Sequence, residues 1–149
     1  MKIRVYKVRG WAKLPVRAHE TDAGMDLFFH PDDNALKPIR PGQSVLLHTG
    51  LKIEVPEGYM LEIKNKSGIA SKRNLVVGAC VVDSGYNGEI FVNLHNIGTI
   101  TEYIDPGQKI AQAVMVPIVY PELEEIEEDN IYGQFTARGS GALGSTGNF

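Results

Sequence analysis

The sequence predicts an all-β fold, a jelly-roll-like β-sandwich, from two observations. Apolar residues recur with period two in several short runs, and turn-forming residues fall between those runs; helical periodicity is almost absent. In chain order, Ile3, Val5 and Lys7 alternate with Arg4, Tyr6 and Val8, and Leu51, Ile53 and Val55 alternate with Lys52 and Glu54. Met60-Leu61-Glu62-Ile63-Lys64 and Ile90-Phe91-Val92-Asn93-Leu94 are similar runs, rich in the β-branched and aromatic residues that half-buried strands favour. Pro41-Gly42, Pro56-Glu57-Gly58, Asn87-Gly88 and Pro106-Gly107 punctuate them, as many short strands require. The one helical candidate, Ser67 to Lys72, is long enough for a turn or two. The acidic run Glu122 to Asp129 suits a helix, a solvated strand or a linker equally. The last residues, 138–149, are Gly-rich and carry too few apolar side chains to fold alone, so a tail that frays, or that orders on a ligand, is expected after a β core of residues 1–137.

At 149 residues the chain suits one domain, and its composition, 43% hydrophobic and 22% charged, permits a core and excludes wholesale disorder. The net charge of -3 places duplex nucleic-acid binding behind other functions, since such binders carry an excess of Lys and Arg. With Cys80 as its single cysteine the chain can form no internal disulfide and no multi-cysteine zinc site. No apolar stretch reaches the ~18 residues of a membrane span. Met1 to Lys7 alternates charged and apolar residues without a signal-peptide core, so a cytoplasmic protein is expected.

Five segments combine small residues with polar groups. In Asp22-Ala23-Gly24-Met25-Asp26-Leu27, Gly24 permits close backbone approach and Asp26 can hold a cation directly or through water, or can simply form a turn. In Asn65 to Lys72, a Ser-Gly pair opens the short helix between cations; Ser67, Gly68 and Lys66 suit an oxyanion cradle, and a plain N-cap by Ser67 is the competing explanation. Gly78 to Ile90 reads as strand, tight turn and strand, a β-hairpin with Asn87-Gly88 near its bend. There Asp83 suits a general base acting on water and Tyr86 a ring packed on a sugar, or both are ordinary turn and strand residues. Gln112 interrupts an apolar strand, so its amide needs either backbone partners or a ligand.

The fifth segment, Arg138 to Gly147, nearly matches a P-loop through Gly139, Gly144 and Thr146. Ser145 occupies the place of the phosphate-binding lysine, which rejects a P-loop NTPase, although a Gly-rich backbone with Ser, Thr and Arg can still wrap a polyphosphate. The four histidines lack metal-ligand spacing, no nucleophile elbow occurs, Cys80 reads as a small buried hydrophobe, and Trp11 as core or interface.

The order and spacing of these segments resemble the trimeric dUTP diphosphatases (dUTPases). Ala23 to Leu27 looks like that family's motif I, Lys66 to Ala70 like motif II, Val82 to Gly88 like motif III, Gly107 to Gln112 like motif IV, and Arg138 to Gly147 like motif V. The resemblance implies a jelly roll assembled as a homotrimer, each active site taking motifs I, II and IV from one chain, motif III from a second and the tail from the third. It implies Mg2+-assisted hydrolysis of dUTP to dUMP and diphosphate, which limits uracil in DNA and supplies dUMP for dTMP synthesis. By the same resemblance Asp83 would deprotonate the attacking water, and Asp26 would reach Mg2+ through water. Lys66, Ser67, Gly68 and Gln112 would contact phosphate oxygens; Tyr86 would pack on the deoxyribose. The backbone from Gly78 to Val82 would read the uracil edge, and Arg138, Ser145 and Thr146 would close over the γ-phosphate.

Three positions depart from the family pattern. Lys66 stands where Arg is usual and offers a point charge in place of a planar fork. Gly85 replaces a second acid before the tyrosine. In the tail, Leu143 replaces the Phe that stacks on uracil, with Ala142 in place of a Gly before it and Gly144 after it, giving up about 0.5–1.5 kcal/mol of aromatic stacking. A related dCTP deaminase and a nucleotide-binding regulator on the same scaffold are the alternatives, and the pairing of Asp83 with Tyr86 favours neither.

Overall fold

A computed structural model describes residues 1–128, 131–132 and 136–142, and the alternating runs appear in it as short antiparallel strands. In chain order they are β1 (Val5–Lys7), β2 (Met25–Phe28), β3 (Lys37–Ile39), β4 (Ser44–His48), β5 (Leu51–Ile53), β6 (Tyr59–Lys64), helix α1 (Ser67–Arg73), β7 (Leu75–Val77), β8 (Val81–Val82), β9 (Phe91–Asn96), β10 (Glu102–Ile104) and β11 (Lys109–Pro117). They form a sheet in the order β2-β11-β6-β8, a second in the order β4-β9-β7, and the pairs β1-β5 and β3-β10. All lie within the compact unit Met1–Val119; Tyr120–Phe149 is a separate unit. No helix of the described residues is long and apolar enough to cross a membrane.

Period two translates directly into burial. Along β9, Val92, Leu94 and Asn96 turn inward while Phe91, Asn93 and His95 stay half-buried, and on β4 Val45 and Leu47 turn inward opposite them. The core gathers these with Leu27, Ile39, Leu61, Ile63, Leu75, Ile104, Ile110 and others from both main sheets. Buried Asn96 is held by its own bonds: Nδ2 donates to the Ile39 and Ile100 carbonyls at 2.8 Å each, and Oδ1 accepts the Gly98 amide at 2.9 Å. Such pairing removes the penalty that an unsatisfied buried amide would carry.

β11 contains an irregularity that matters for function. Its register against β2 shifts between Lys109 and Ala111, so that Lys109 faces Phe28 while Ala111 faces Leu27. The extra residue is a β-bulge, and it leaves Ile110 and Ala111 both fully buried. Because side-chain direction alternates, one extra residue also turns Lys109 onto the face that carries Asp26 and Gln112.

Two expectations, the self-paired hairpin with its bend and the buried Cys80, are corrected, and two readings left open, the acidic run and Trp11, are narrowed. The segment Gly78 to Ile90 is not a self-paired hairpin: β8 pairs with β6, whereas β9 pairs with β4 and β7. Its tight turn lies at Asp83 to Tyr86, closed by the Tyr86 amide on the Asp83 carbonyl at 3.3 Å, rather than at Asn87-Gly88. Gly85 adopts φ +86°, the left-handed conformation that the third position of a type II turn demands and that other residues resist. Residues 121–127 form neither helix nor strand and are exposed; their clustered carboxylates repel one another and no apolar face exists to compensate. Trp11 is 59% exposed and so is no core residue, and Cys80 is only partly buried.

Leu94 is fully buried on a strand shared by two neighbours, so Leu94→Ala is expected to cost about 2–5 kcal/mol, read as a shift in urea unfolding midpoint. Leu123→Ala, at a site 94% exposed, should stay within about 0.5 kcal/mol of the parent.

Candidate active site

β2, β11 and β6 meet at one rung. Gln112 at the centre is paired with Asp26 on one side and Lys64 on the other, and α1 begins immediately after β6. Gln112 Nε2 donates to the Asn65 carbonyl at 2.9 Å, which pins the link from β6 into the helix. Asn65 Oδ1 accepts the Val77 amide at 2.6 Å and so ties the same link to β7. A Cβ at residue 24 would overlap the Gln112 carboxamide, which is why a glycine stands there. The backbone partner that the sequence left open for Gln112 is therefore present, and one of its two Nε2 hydrogens stays available.

Asp26 lies on this rung, 6% exposed, with an ammonium group on each oxygen: Lys66 Nζ on Oδ1, and Lys109 Nζ on Oδ2 at 2.7 Å. Burial pushes the Asp26 carboxyl up, and hydrogen bonds and charge from Lys109 and Lys66 more than offset it, holding the group below its ordinary value. One carboxylate against two ammonium groups leaves a positive charge in excess. Beside it, Lys66 is the N-cap of α1, without a side-chain cap bond, and Ser67 is the first helical residue instead of the cap. The opening amides of Ser67 and Gly68 precede the helix's own ladder and remain available as donors. Excess cation and free N–H groups together suit an anion.

The donor set is poorly matched to a metal held by the chain. Both oxygens of Asp26 already carry cations, and among the described residues no group of three or more His, Cys, Asp or Glu could hold an ion. The residues instead suit an anion such as phosphate.

A second feature lies along β8. A cleft of about 190 Å³ is lined by Ala79, Cys80, Val81, Val82, Asp83, Tyr86, Asn93 and neighbours from β4, β6 and β9. It is smaller than the ~300–1,000 Å³ of a whole small-molecule pocket and suits one ring of a ligand. Asp83 is exposed at its edge. Tyr86 is 47% exposed, and its hydroxyl donates to the Glu89 carbonyl at 3.0 Å, which fixes the ring over the turn. Glu89 is anchored in turn: its Oε1 accepts Arg9 Nη1 at 2.7 Å and the Gly50 amide at 2.8 Å, and Arg9 is itself 8% exposed and paired with Asp32. Burial pushes the Glu89 carboxyl up, but Arg9, the Gly50 amide and His48 hold it low.

Asp83 and the cradle stand at opposite ends of β6, while the cleft runs along the strand as far as Ile63, whose amide holds the Cys80 carbonyl at 2.7 Å. Leu61 is paired with Val82, which sets Asp83 level with Met60, whereas the cradle follows Lys64. Four residues of strand separate these levels, about 13 Å at ~3.3 Å per residue. One chain therefore brings together Asp26, Lys66, Ser67, Gly68 and Gln112, and separately Val82, Asp83 and Tyr86 along the cleft, with Asp83 set apart from the cradle; Gly78 directly follows Val77, which Asn65 holds.

In the second unit, a turn from Thr136 to Gly139 carries Arg138, which is exposed and whose Nε donates to the Gly141 carbonyl at 3.2 Å. Leu143, Gly144, Ser145 and Thr146 lie outside the described residues. Sequence reasoning missed the contributions of Lys109 and Asn65. The position of Asn65 directly before the Lys-Ser-Gly run was a usable signal; the bulge that turns Lys109 toward Asp26 was not.

An all-β jelly roll with a cationic cradle at the end of a central strand, and an acid beside a ring-sized cleft, is an architecture suited to a small anionic ligand. Comparison with known proteins fixes the family. The dUTPase family model matches residues 11–147. The deoxyuridine 5'-triphosphate nucleotidohydrolase of Clostridium tetani is 41% identical over 99% of this chain and 96% of its own length. That of Gloeothece citriformis is 40% identical, over 99% and 97% respectively. Among solved structures, a Staphylococcus bacteriophage 80alpha dUTPase with dUpNHpp superposes with TM-score 0.87 at 28% identity, covering 98% of both chains. A dUTPase from phage phi11 of S. aureus, described with a structural Mg(II) ion, superposes with TM-score 0.78 at 28% identity over 86% of this chain and 98% of its own. The chain belongs to the dUTPase family.

Because the folded-state value of Asp26 is depressed, its pairing stabilises the protein fully above the ordinary carboxylate range, and that contribution fades as pH falls through the depressed value. Asp26→Asn is expected to lower stability by about 1–3 kcal/mol at neutral pH. The gap from the parent should close on acidification, as followed by urea unfolding across the pH range.

Proposed function

We propose that the protein hydrolyses dUTP to dUMP and diphosphate, with water attacking the α-phosphorus, at a site shared between copies of the chain in a homotrimer acting in the cytoplasm. The observation that carries this is the presence of two half-sites, a cationic cradle and an acid beside a cleft, held at opposite ends of β6. Neither half completes the other within one chain, and a second copy offers the missing partner.

Phosphoryl transfer asks of a protein chiefly positioning and charge stabilisation, and the residues divide along those lines. Lys66, the amides of Ser67 and Gly68, and the remaining Nε2 hydrogen of Gln112 would bind phosphate oxygens. A polyanion arriving there draws Lys66 and Lys109 away from Asp26. The carboxylate so released would then face the water shell of Mg2+ carried in by the triphosphate, where that ion disperses charge. Asp83 of another copy would orient and deprotonate the attacking water; an exposed carboxylate at the edge of the cleft is placed to do so without passing a proton through the core. Tyr86, fixed by its bond to Glu89, would pack against the deoxyribose and leave no room for a 2′-hydroxyl. Backbone from Gly78 to Val82 would read the uracil edge, because a mismatched base leaves buried polar groups unpaired. From the tail, Arg138, Ser145 and Thr146 would cover the γ-phosphate, with Leu143 and Gly144 over the base.

Asp83→Asn is expected to lower turnover of dUTP by about 10²–10⁴-fold while binding dUpNHpp nearly as well as the parent. Diphosphate and ammonia are followed with dUTP, UTP, dTTP and dCTP in parallel; ammonia from dCTP would mark a deaminase instead. Truncation after Ile131 should leave a folded assembly with badly impaired turnover. When the Asp83→Asn chain is co-assembled with the truncated chain by joint unfolding and refolding, part of the activity should return. Persistent silence in the mixture would mean that each site is built from one chain.

A further inference from the structure

A side-chain network lies between β4, β9 and the segment Gly78 to Val82, and the proposed reaction makes no use of it. The carboxamide of Asn93 is its centre. Nδ2 donates to the Val45 carbonyl at 3.1 Å and to Ser44 Oγ at 2.8 Å, while Oδ1 accepts the Ala79 amide at 3.1 Å. Two of these partners are backbone groups whose roles cannot change, so the orientation of the amide is determined. His95 Nε2 lies 2.9 Å from the same Oδ1, and an acceptor at that point obliges Nε2 to carry a hydrogen. Both hydrogens and both lone-pair directions of the Asn93 amide are then used.

The network acts on a weak point of the backbone. Gly78 donates its amide to the Asn93 carbonyl at 3.0 Å, and a Cβ at residue 78 would overlap the Asn93 and His95 side chains. Rotation of the peptide joining Gly78 to Ala79 meets no Cβ at Gly78, but it carries φ of Ala79 toward the positive values that a residue with a Cβ resists, so the bond to Asn93 adds to a preference that Ala79 already has. Rotation of a peptide exchanges N–H for C=O along the strand edge. On the far side of Ala79 the Cys80 carbonyl is already held by the Ile63 amide at 2.7 Å. The Ala79 amide has Asn93 Oδ1 as its partner. Ala79, Cys80 and Asn93 all line the cleft.

We propose that Asn93, supported by His95, is a positioning residue that sets base selectivity by locking the Gly78–Ala79 peptide in one orientation. Uracil and cytosine differ in whether a carbonyl or an amino group faces that edge, so a peptide free to flip matches either base and a locked one matches a single base. This rests on the dUTP function proposed above.

For Asn93→Ala the expected result is a KM for dUTP raised about tenfold with kcat held within about twofold, and the preference for dUTP over dCTP cut about tenfold. His95→Gln, which returns an N–H donor to the same neighbourhood, should behave as the parent, and His95→Leu should move part of the way toward Asn93→Ala. Independently of activity, hydrogen exchange at the Ala79 amide in the full chain should be protected in the parent and faster in Asn93→Ala. A parent selective for dUTP whose Asn93→Ala form keeps the same KM and selectivity overturns the inference. So does a fall in kcat alone in either variant, which marks a merely structural role. If Asn93→Ala does not fold, unchanged selectivity in His95→Leu overturns it equally. A parent inactive on dUTP, by contrast, removes the functional proposal, and unprotected exchange at Ala79 then removes the lock as well.

Discussion

A single extra residue in β11 decides which charges meet at the head of α1. Without the bulge at Ile110, Lys109 would point to the opposite face of the sheet from Asp26, and the carboxylate would have Lys66 alone as its counter-charge. With it, two ammonium groups share one buried acid, and the rung of Asp26, Gln112 and Lys64 becomes cationic at the place where the helix exposes its first amides. The bulge also sends two consecutive residues into the core, so the same irregularity that builds the cradle is secured by apolar burial. Lys66 and Lys109 keep part of their surface in water whereas Asp26 is buried, so releasing both lysines would leave a buried carboxylate whose charge needs another partner.

Strands were largely legible in the sequence because alternation is a local signal. The runs around Leu51, Met60 and Phe91 appear as β5, β6 and β9, and Ser67 begins the helix. Hairpin assignment failed for a reason equally physical. Asn87-Gly88 carries a strong turn signal, but pairing is decided by which neighbouring edge is free, and β8 finds β6 while β9 fits between β4 and β7. Gly85, regarded in the sequence chiefly as the place of a missing acid, turns out to be a conformational requirement of the turn that presents Asp83 and Tyr86.

Site residues were legible to the extent that they lie in contiguous motifs. Gly24 illustrates what the sequence could state only generally: close approach was expected there, and the approaching group is the Gln112 carboxamide. Long-range partners had no local signature. Lys109 reaches Asp26 only through the bulge, Asn65 serves both β7 and Gln112, and Arg9 secures Glu89 across eighty residues of chain. Asn93 and His95 carried no functional signal in the sequence, and only the folded chain shows them against Gly78 and Ala79.

The span between Met60 and Lys64 has a consequence for how such a protein is made. If the site is shared between copies as proposed, a solitary copy holds Asp83 too far from the cradle for the two to cooperate and would consume no nucleotide while it matures. Under the shared-site proposal, competence arrives only when partners gather, and a single defective copy incorporated into an assembly would spoil pockets belonging to its sound companions.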